Sequence, residues 1–353
     1  MALPSPRDPE VARTDLARWL AAQLPGASDL RVSPLSGPPS TGFSNETIVF
    51  DATWTEGGAE HEHGFVVRVR PSDHTVFPAD RFEDQYRVLA ELAPLGLKVP
   101  TVRWYEQDES VLDAPFMVMD RVGGTAPKDV PPYTDEGFLF DAAPRDQERL
   151  WWSGLDALAS IDNVDLGAID VSFLRPGEHG GGTLAQRLEY WERYLAWAAD
   201  GREQPVPEAA LAWLRDNLPA TEGERALCWG DARIGNQLFR DFEVQAILDW
   251  EMVHVGDPVW DLAWFVWLDG HFSEGCERPR LPGLPSERAT VARWERLTGR
   301  TVQDFGWHKV LAGLAFGSIM VRLGGLLEHF EIFPASTGST WPAAPPTSPP
   351  RSR

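Results

Sequence analysis

The sequence predicts an α+β protein built from two units, a small and mainly β unit followed by a larger and mainly helical one. Three observations carry that expectation. The chain has 353 residues, room for roughly two domains at about 150 residues each. Before residue 123 apolar residues fall in short alternating runs broken by Gly, Pro and Asp; beyond Gly123-Gly124 they recur at helical spacing. A short β island between Ala226 and Trp250 then interrupts the helices. The expected division is 1–122 as an N-terminal lobe with a leading helix, 123–333 as a C-terminal lobe, and 334–353 as a disordered tail rich in Pro, Ser and Thr.

The first helix carries Val11, Leu16, Trp19, Leu20 and Leu24 and stops at Pro25-Gly26. Leu30–Leu35 reads as a strand leading into the turn-rich stretch Ser36–Gly42, and Asn45–Trp54 as a second strand running into Gly57-Gly58. His61-Glu62-His63 has the look of a metal pair, but a polar hairpin tip explains it better. Phe65–Arg70 is a third strand, Phe82–Leu92 a helix, and Val111–Val122 a strand pair turning at Asp113-Ala114. Helices follow at Ala143–Ile161, at Thr183–Ala199 with Gly201 as the stop, at Pro207–Leu218, from Asp261, and between Ser286 and Glu331. His179-Gly180-Gly181-Gly182 matches an esterase oxyanion loop. Without any Gly-x-Ser-x-Gly elbow it reads as a flexible loop before a Thr183-capped helix.

Lys+Arg total 32 against 53 Asp+Glu, a formal charge of −21. Such a balance argues against nucleic acid and against anionic lipid as partners, since both need cationic surface. Cys228 and Cys276 are the only cysteines, too few for a disulfide framework or a zinc site. The N-terminus shows no apolar signal segment, and the greasy run Val310–Val321 is short for a bilayer. A cytoplasmic protein is expected.

The informative stretch is Cys228–Phe239 followed by Val244–Glu251. Asp231 and Asn236 share one loop. Leu238-Phe239 and Ala246-Ile247-Leu248 then read as two short strands around a polar turn. A hairpin of that shape returns the chain so that Asp249 emerges beside Asn236, and two carboxylates and an amide converge. Few, hard oxygen ligands suit Mg²⁺ that also binds phosphate, and the remaining carboxylate can hold a substrate hydroxyl. No Gly-Lys-Ser/Thr exists, which excludes a P-loop.

The spacing resembles the protein-kinase catalytic loop and its metal-binding Asp. More closely, Trp229-Gly230-Asp231 through Asn236, Asp249-Trp250-Glu251 and Gly256-Asp257-Pro258 through Ala263 resemble the motifs of the aminoglycoside phosphotransferase family. The likeness runs from about Leu35 to Phe330. It implies a protein-kinase-like two-lobed fold and a kinase that transfers the γ-phosphoryl of ATP or GTP to a small-molecule hydroxyl with Mg²⁺. By the same resemblance Asp231 orients the acceptor hydroxyl and Arg233 neutralises the transferring group. Asn236 and Asp249 hold Mg²⁺, Glu251 reaches a second metal, and Asp261 ties the catalytic loop through backbone N–H groups. Ser40, Thr41, Gly42, Ser44 and Asn45 would fold over phosphates. Arg68 stands where kinases have Lys, with Glu83 or Gln85 as its helix partner. Met119, Asp120 and Arg121 would offer backbone groups to a purine edge. Trp229 replaces the family's His, Asp162 replaces another His, and Arg68 replaces Lys; the Trp229 and Arg68 exchanges resemble the acyl-CoA-dehydrogenase-linked and actinobacterial branches.

Two other classes are weighed. A nucleotide-binding pseudokinase is suggested by Trp229, Asp162 and the degenerate Gly-rich loop. An Asp-based phosphohydrolase would need an Asp-x-Asp pair that Asp249-Trp250-Glu251 imitates poorly. Sixteen tryptophans are present. Most of Trp152, Trp191, Trp197, Trp260, Trp264 and Trp267 are expected in the core, a few against the acceptor. The sequence names neither the acceptor nor the oligomeric state.

Overall fold

The computed structural model describes residues 7–37, 45–70 and 74–330. Its contacts separate two compact units. One comprises the chain up to Val76 with Pro100–Val122, the other Phe77–Val99 with the chain from Gly123 onward.

The first unit is a five-stranded antiparallel sheet in the order β1-β2-β3-β5-β4, formed by β1 (Ser28–Val32), β2 (Glu46–Glu56), β3 (Ala59–Val69), β4 (Val102–Glu106) and β5 (Phe116–Asp120). Helix α1 (Pro9–Gln23) starts where the Asp8 side chain accepts from the N–H groups of Glu10 and Val11, with Pro9 preset for the first turn. Its Leu16, Trp19 and Leu20 bury against Phe50, Phe65, Val67 and Phe116 of the sheet. Trimming Leu16 to alanine there costs about 2–5 kcal/mol. Strands β2 and β3 pair without interruption from Glu46–Val69 to Glu56–Ala59. His61 and His63 therefore lie on β3, not at the hairpin tip. His61 stacks on Trp54, and His63 Nε2 lies 2.7 Å from Asp120. The strand pair expected over Val111–Val122 is one strand, β5, paired with β4. Strand β4 follows directly on Pro100 and is too short to show a clear alternation.

In the second unit lie α2 (Phe82–Leu92), α3 (Pro144–Asp162), α4 (Pro176–His179), α5 (Leu184–Ala199), α6 (Pro205–Asp216), α7 (Val259–Phe272), α8 (Glu287–Thr298) and α9 (Phe305–His329). Two small sheets interrupt them: β6 (Ala226–Cys228) with β9 (His254–Gly256), and β7 (Gln237–Arg240) with β8 (Glu243–Ile247). Helix α5 opens with the expected Thr183 cap, completed by Gln186 reaching back to the Thr183 N–H.

Phe77–Val99 is where the expected boundary fails. Placed with the N-terminal lobe by sequence order, this segment packs with the second unit. Arg81 Nη1 donates to the Glu251 carbonyl at 2.9 Å, Asp84 lies 2.8 Å from His179 Nε2, and the Ile247 N–H donates to the Lys98 carbonyl at 2.6 Å. His179 is thereby buried and held, so the loop before α5 is anchored at its head. Helix α9 is longer than the apolar run read from sequence: its 25 residues meet the length and composition of a membrane span, and half of that window is buried inside the protein. It packs on α5, α6 and α7.

Candidate active site

The catalytic-loop candidate follows β6 and is held by α7. Asp261, fully buried in the first turn of α7, accepts the Trp229 N–H at 2.6 Å and the Gly230 N–H at 2.8 Å, one on each carboxylate oxygen. This is the tie that the resemblance implied. Gly230 sits at φ 97°, and a Cβ there would lie 2.1 Å from the Met252 carbonyl oxygen, so only glycine fits. Trp260 of the same helix donates its indole N–H to the Gly230 carbonyl at 3.0 Å.

Three donors converge on the Asp231 carboxylate. Trp264 Nε1 donates to Oδ1 at 2.7 Å, Asn236 Nδ2 to Oδ2 at 2.7 Å, and Arg233 Nε lies 3.3 Å from Oδ1 and 3.4 Å from Oδ2. The carboxylate keeps 16% of its side chain exposed, enough to meet a substrate.

A 3₁₀ turn, 234–236, carries Asn236 to the start of β7, and the β7–β8 hairpin brings the chain back. The Leu248 N–H donates to the Asn236 carbonyl at 2.8 Å, which sets Asp249 next to Asn236 as the hairpin predicted. Asp249 adopts φ 60°, a left-handed conformation costly for a residue with a Cβ and typical of functional positions. The Trp229 indole N–H donates to the carbonyls of Leu248 and Asp249 at 2.9 and 3.0 Å. Trp229 thus supplies a ring N–H donor where the family has histidine, and it locks the two loops together.

The donor set fits Mg²⁺. The Asn236 amide gives its nitrogen to Asp231, so its oxygen is the atom left for a hard cation. Asp249 supplies a carboxylate on the adjoining loop. Among the described residues no cluster of three or more His, Cys, Asp or Glu forms a metal cage. Mg²⁺ held by these two side chains would take its remaining ligands from water and phosphate.

Arg233 is held more tightly than the sequence suggested. Its Nη1 donates to both oxygens of Asp129, at 2.7 and 2.6 Å. Burial opposes its charge, but Asp129 and Asp231 outweigh burial and raise its pKa, so the guanidinium is fixed as a cation. Burial also pushes Asp261 up to about 7 against the opposing pull of its two backbone N–H donors. Asp162 is raised well above the ordinary carboxylate range by burial and then by the charge of Asp261. Among the described residues the Trp294 indole is the hydrogen-bond donor to its carboxylate, at 2.7 Å.

The remaining candidates are carried by other segments. Ser40, Thr41, Gly42 and Ser44 lie outside the described residues. Asn45 is buried just before β2. Arg68 projects from β3 opposite Thr47 and Met117, on the face away from buried Val67 and Val69. On α2, Glu83 is exposed and Gln85 buried. Met119 is buried in β5. At the purine-edge positions the Asp120 and Arg121 N–H groups donate to the carbonyls of Thr101 and Gly64, both at 2.9 Å. Their side chains are spent as well, Asp120 on Arg103 and Arg121 on Asp51. Glu251 is half-buried, and its carbonyl serves Arg81.

Sequence reasoning missed Asp129 and the roles of Trp260 and Trp264. The two tryptophans are four apart and so share a helix face beside Asp261, a spacing that by itself reads as packing. Asp129 lies 104 residues before its partner and gave none.

The profile of the phosphotransferase enzyme family, APH, matches residues 38–304. Acyl-CoA dehydrogenase family member 11 of Gallus gallus is 30% identical over 252 residues, 70% of this chain and 30% of that protein, so the chain spans under a third of this relative. A protein of Ralstonia eutropha JMP134 assigned as an aminoglycoside phosphotransferase superposes with a TM-score of 0.67 at 21% identity, covering 94% of this chain and 92% of the other. A thermostable mutant of aminoglycoside phosphotransferase APH(4)-Ia, solved as a ternary complex with ADP and hygromycin B, superposes with a TM-score of 0.50 at 15% identity, over 92% and 100% of the two chains. The loop that carries Asp231, the hairpin that returns Asp249 and the helix that supplies Asp261 all fall inside the matched span, and the chain belongs to the phosphotransferase enzyme family, on the protein-kinase-like fold of these solved structures.

Proposed function

We propose that the chain is a Mg²⁺-dependent kinase that moves the γ-phosphoryl group of ATP or GTP to the hydroxyl of a small molecule. One observation carries this reading: the Asp231 carboxylate is oriented by three donors and still reachable, while Asn236 and Asp249 stand on adjoining loops with oxygens suited to a hard cation. That a homologous fold was solved with ADP and an aminoglycoside supports a nucleotide and a hydroxyl-bearing acceptor.

In this mechanism Asp231 accepts a hydrogen bond from the acceptor hydroxyl and aims its oxygen at the γ-phosphorus. As the new O–P bond forms, the bond to the β–γ bridging oxygen breaks, the nucleoside diphosphate leaves, and the hydroxyl proton passes to Asp231. Arg233, held as a cation, adds positive field beside the reacting group. Bound Mg²⁺ would neutralise β- and γ-phosphate charge, with Asn236 and Asp249 as its protein ligands. Little covalent work falls to the protein; positioning dominates.

The test is a panel of alcohols, sugars and antibiotics incubated with γ-labelled ATP and GTP, with and without EDTA. Label transferred to an acceptor and abolished by EDTA is the expected result. Mg²⁺-dependent nucleotide binding with no transfer, nor any slow hydrolysis, would instead establish the pseudokinase, which the intact Asp231, Asn236 and Asp249 disfavour.

A further inference from the structure

We infer that Trp264 is a positioning residue for phosphoryl transfer: its indole N–H fixes the rotamer of the Asp231 carboxylate that receives the acceptor proton. The inference rests on the kinase reading above and extends it to a side chain that looks like core.

Trp264 is buried to 2% exposure and belongs by composition to the apolar face of α7. A buried indole N–H must find an acceptor. Here it finds the Oδ1 of Asp231, at 2.7 Å. The ring has no freedom to look elsewhere, since it packs on Trp260 at 5.1 Å between centroids and on Phe316 of α9 at 6.4 Å. Asn236 serves Oδ2, and Arg233 Nε straddles the two oxygens, 3.3 Å from Oδ1 and 3.4 Å from Oδ2. Trp264 therefore makes the one short hydrogen bond to Oδ1 among the described residues. Without it Oδ1 keeps only the long ion-pair contact with Arg233, and the carboxylate can swing about its bond to Asn236.

The helix supplies this donor together with the others. Positions 260, 261 and 264 of α7 bond the Gly230 carbonyl, the Trp229 and Gly230 N–H groups, and the Asp231 side chain. Residues 260 and 264 are one helical turn apart, so backbone and side chain of the loop are gripped by one rigid face. A hydrogen bond to a charged group is worth more than a neutral one. Losing this one should cost turnover about tenfold to a hundredfold, through a base that spends less time in the reactive orientation.

The experiment replaces the Trp264 indole with its benzothiophene isostere by site-specific incorporation. Shape and packing are retained, and only the N–H is lost. With Mg²⁺·ATP as the probe and water as the acceptor, the isostere is expected to lower kcat for hydrolysis about tenfold or more while the KM for ATP and the melting temperature stay put. In an Asp231→Asn background the same replacement should change kcat no further. An isostere with wild-type kcat, or one that costs as much without Asp231 as with it, overturns the proposal. Should the wild type turn over neither ATP nor GTP on any acceptor, it is the kinase reading that falls. Trp264 is then judged by its indole ¹⁵N–¹H resonance, assigned by its loss in Trp264→Phe: displacement by Asp231→Ala upholds the contact, and an unmoved peak refutes it.

Discussion

Asp231→Asn is close to isosteric, yet the structure predicts that it fails in two separable ways. All three groups around the carboxylate are donors: Trp264 Nε1, Asn236 Nδ2 and Arg233 Nε. An asparagine offers one acceptor oxygen and must present its NH₂ to a donor on the other side. If the amide oxygen serves Asn236, the buried Trp264 N–H is orphaned; if it serves Trp264, the Asn236 amide keeps only the Asp231 carbonyl and Arg233 keeps only Asp129. A buried donor left unpaired costs about 1–3 kcal/mol, which lowers the melting temperature by about 1–2 °C per kcal/mol for a chain of 353 residues. Catalysis loses its proton acceptor as well, worth about 10²–10⁴ in rate. Differential scanning calorimetry, nucleotide titration and steady-state kinetics on one preparation read all of this. The expected result is kcat down at least a hundredfold, nucleotide affinity in Mg²⁺ within about threefold of wild type, and a lower melting temperature. A variant that keeps kcat within tenfold refutes the base role; one that loses activity with no loss of stability refutes the convergence of donors.

Asp249→Ala should remove the Mg²⁺-dependent part of nucleotide binding and leave whatever is bound in EDTA; calorimetric titration with and without Mg²⁺ reads the difference, and equal losses in both would discount Asp249 as a ligand. Asp162 binds a proton in the folded chain that the unfolded chain releases above about pH 4. This group's contribution therefore declines as pH rises from there. Asp162→Asn removes that decline, and its stability relative to wild type should improve between pH 5 and pH 8 in urea melts; a difference independent of pH sinks the argument. Asp129→Asn leaves the Arg233 guanidinium with Asp231 as its ion-pair partner and the charge of Asp249 beyond it. Because Asp129 is 36% exposed on its side chain, the stability loss should be only about 1 kcal/mol. Turnover should fall about threefold to tenfold as Arg233 loosens, and unchanged kcat with unchanged melting would show the pair to be idle.

The reacting residues were legible because they are local. Asp231, Asn236 and Asp249 are joined by one short hairpin, and its register is dictated by the apolar pairs Leu238–Ala246 and Phe239–Val244 that it must bury. Asp261 was readable for the same reason, lying just downstream at the head of a helix. What escaped were pairings that sequence distance hides. Asp129 meets Arg233 across the second unit, and α2 is drawn into that unit by single contacts of Arg81, Asp84 and Lys98. Trp264 escaped for a different reason. An aromatic at helical spacing reads as packing, and nothing in its position reveals that its one polar atom points at a carboxylate. The fold class was clear from the change of period, while β4, brief and preceded by Pro100, lacked enough residues to declare its alternation.

Every group that handles the acceptor proton or would grip the cation, and the helix turn that steadies them, lies in one uninterrupted stretch from Ala226 to Trp264. A graft of that stretch alone would nonetheless arrive incomplete. The Ile247 N–H leans on Lys98, and the Glu251 carbonyl leans on Arg81, so the smallest transplantable cassette carries Phe77–Val99 with it. An engineer who swaps only the N-terminal sheet between relatives should cut at Val76 and Pro100, leaving that inserted segment with the recipient.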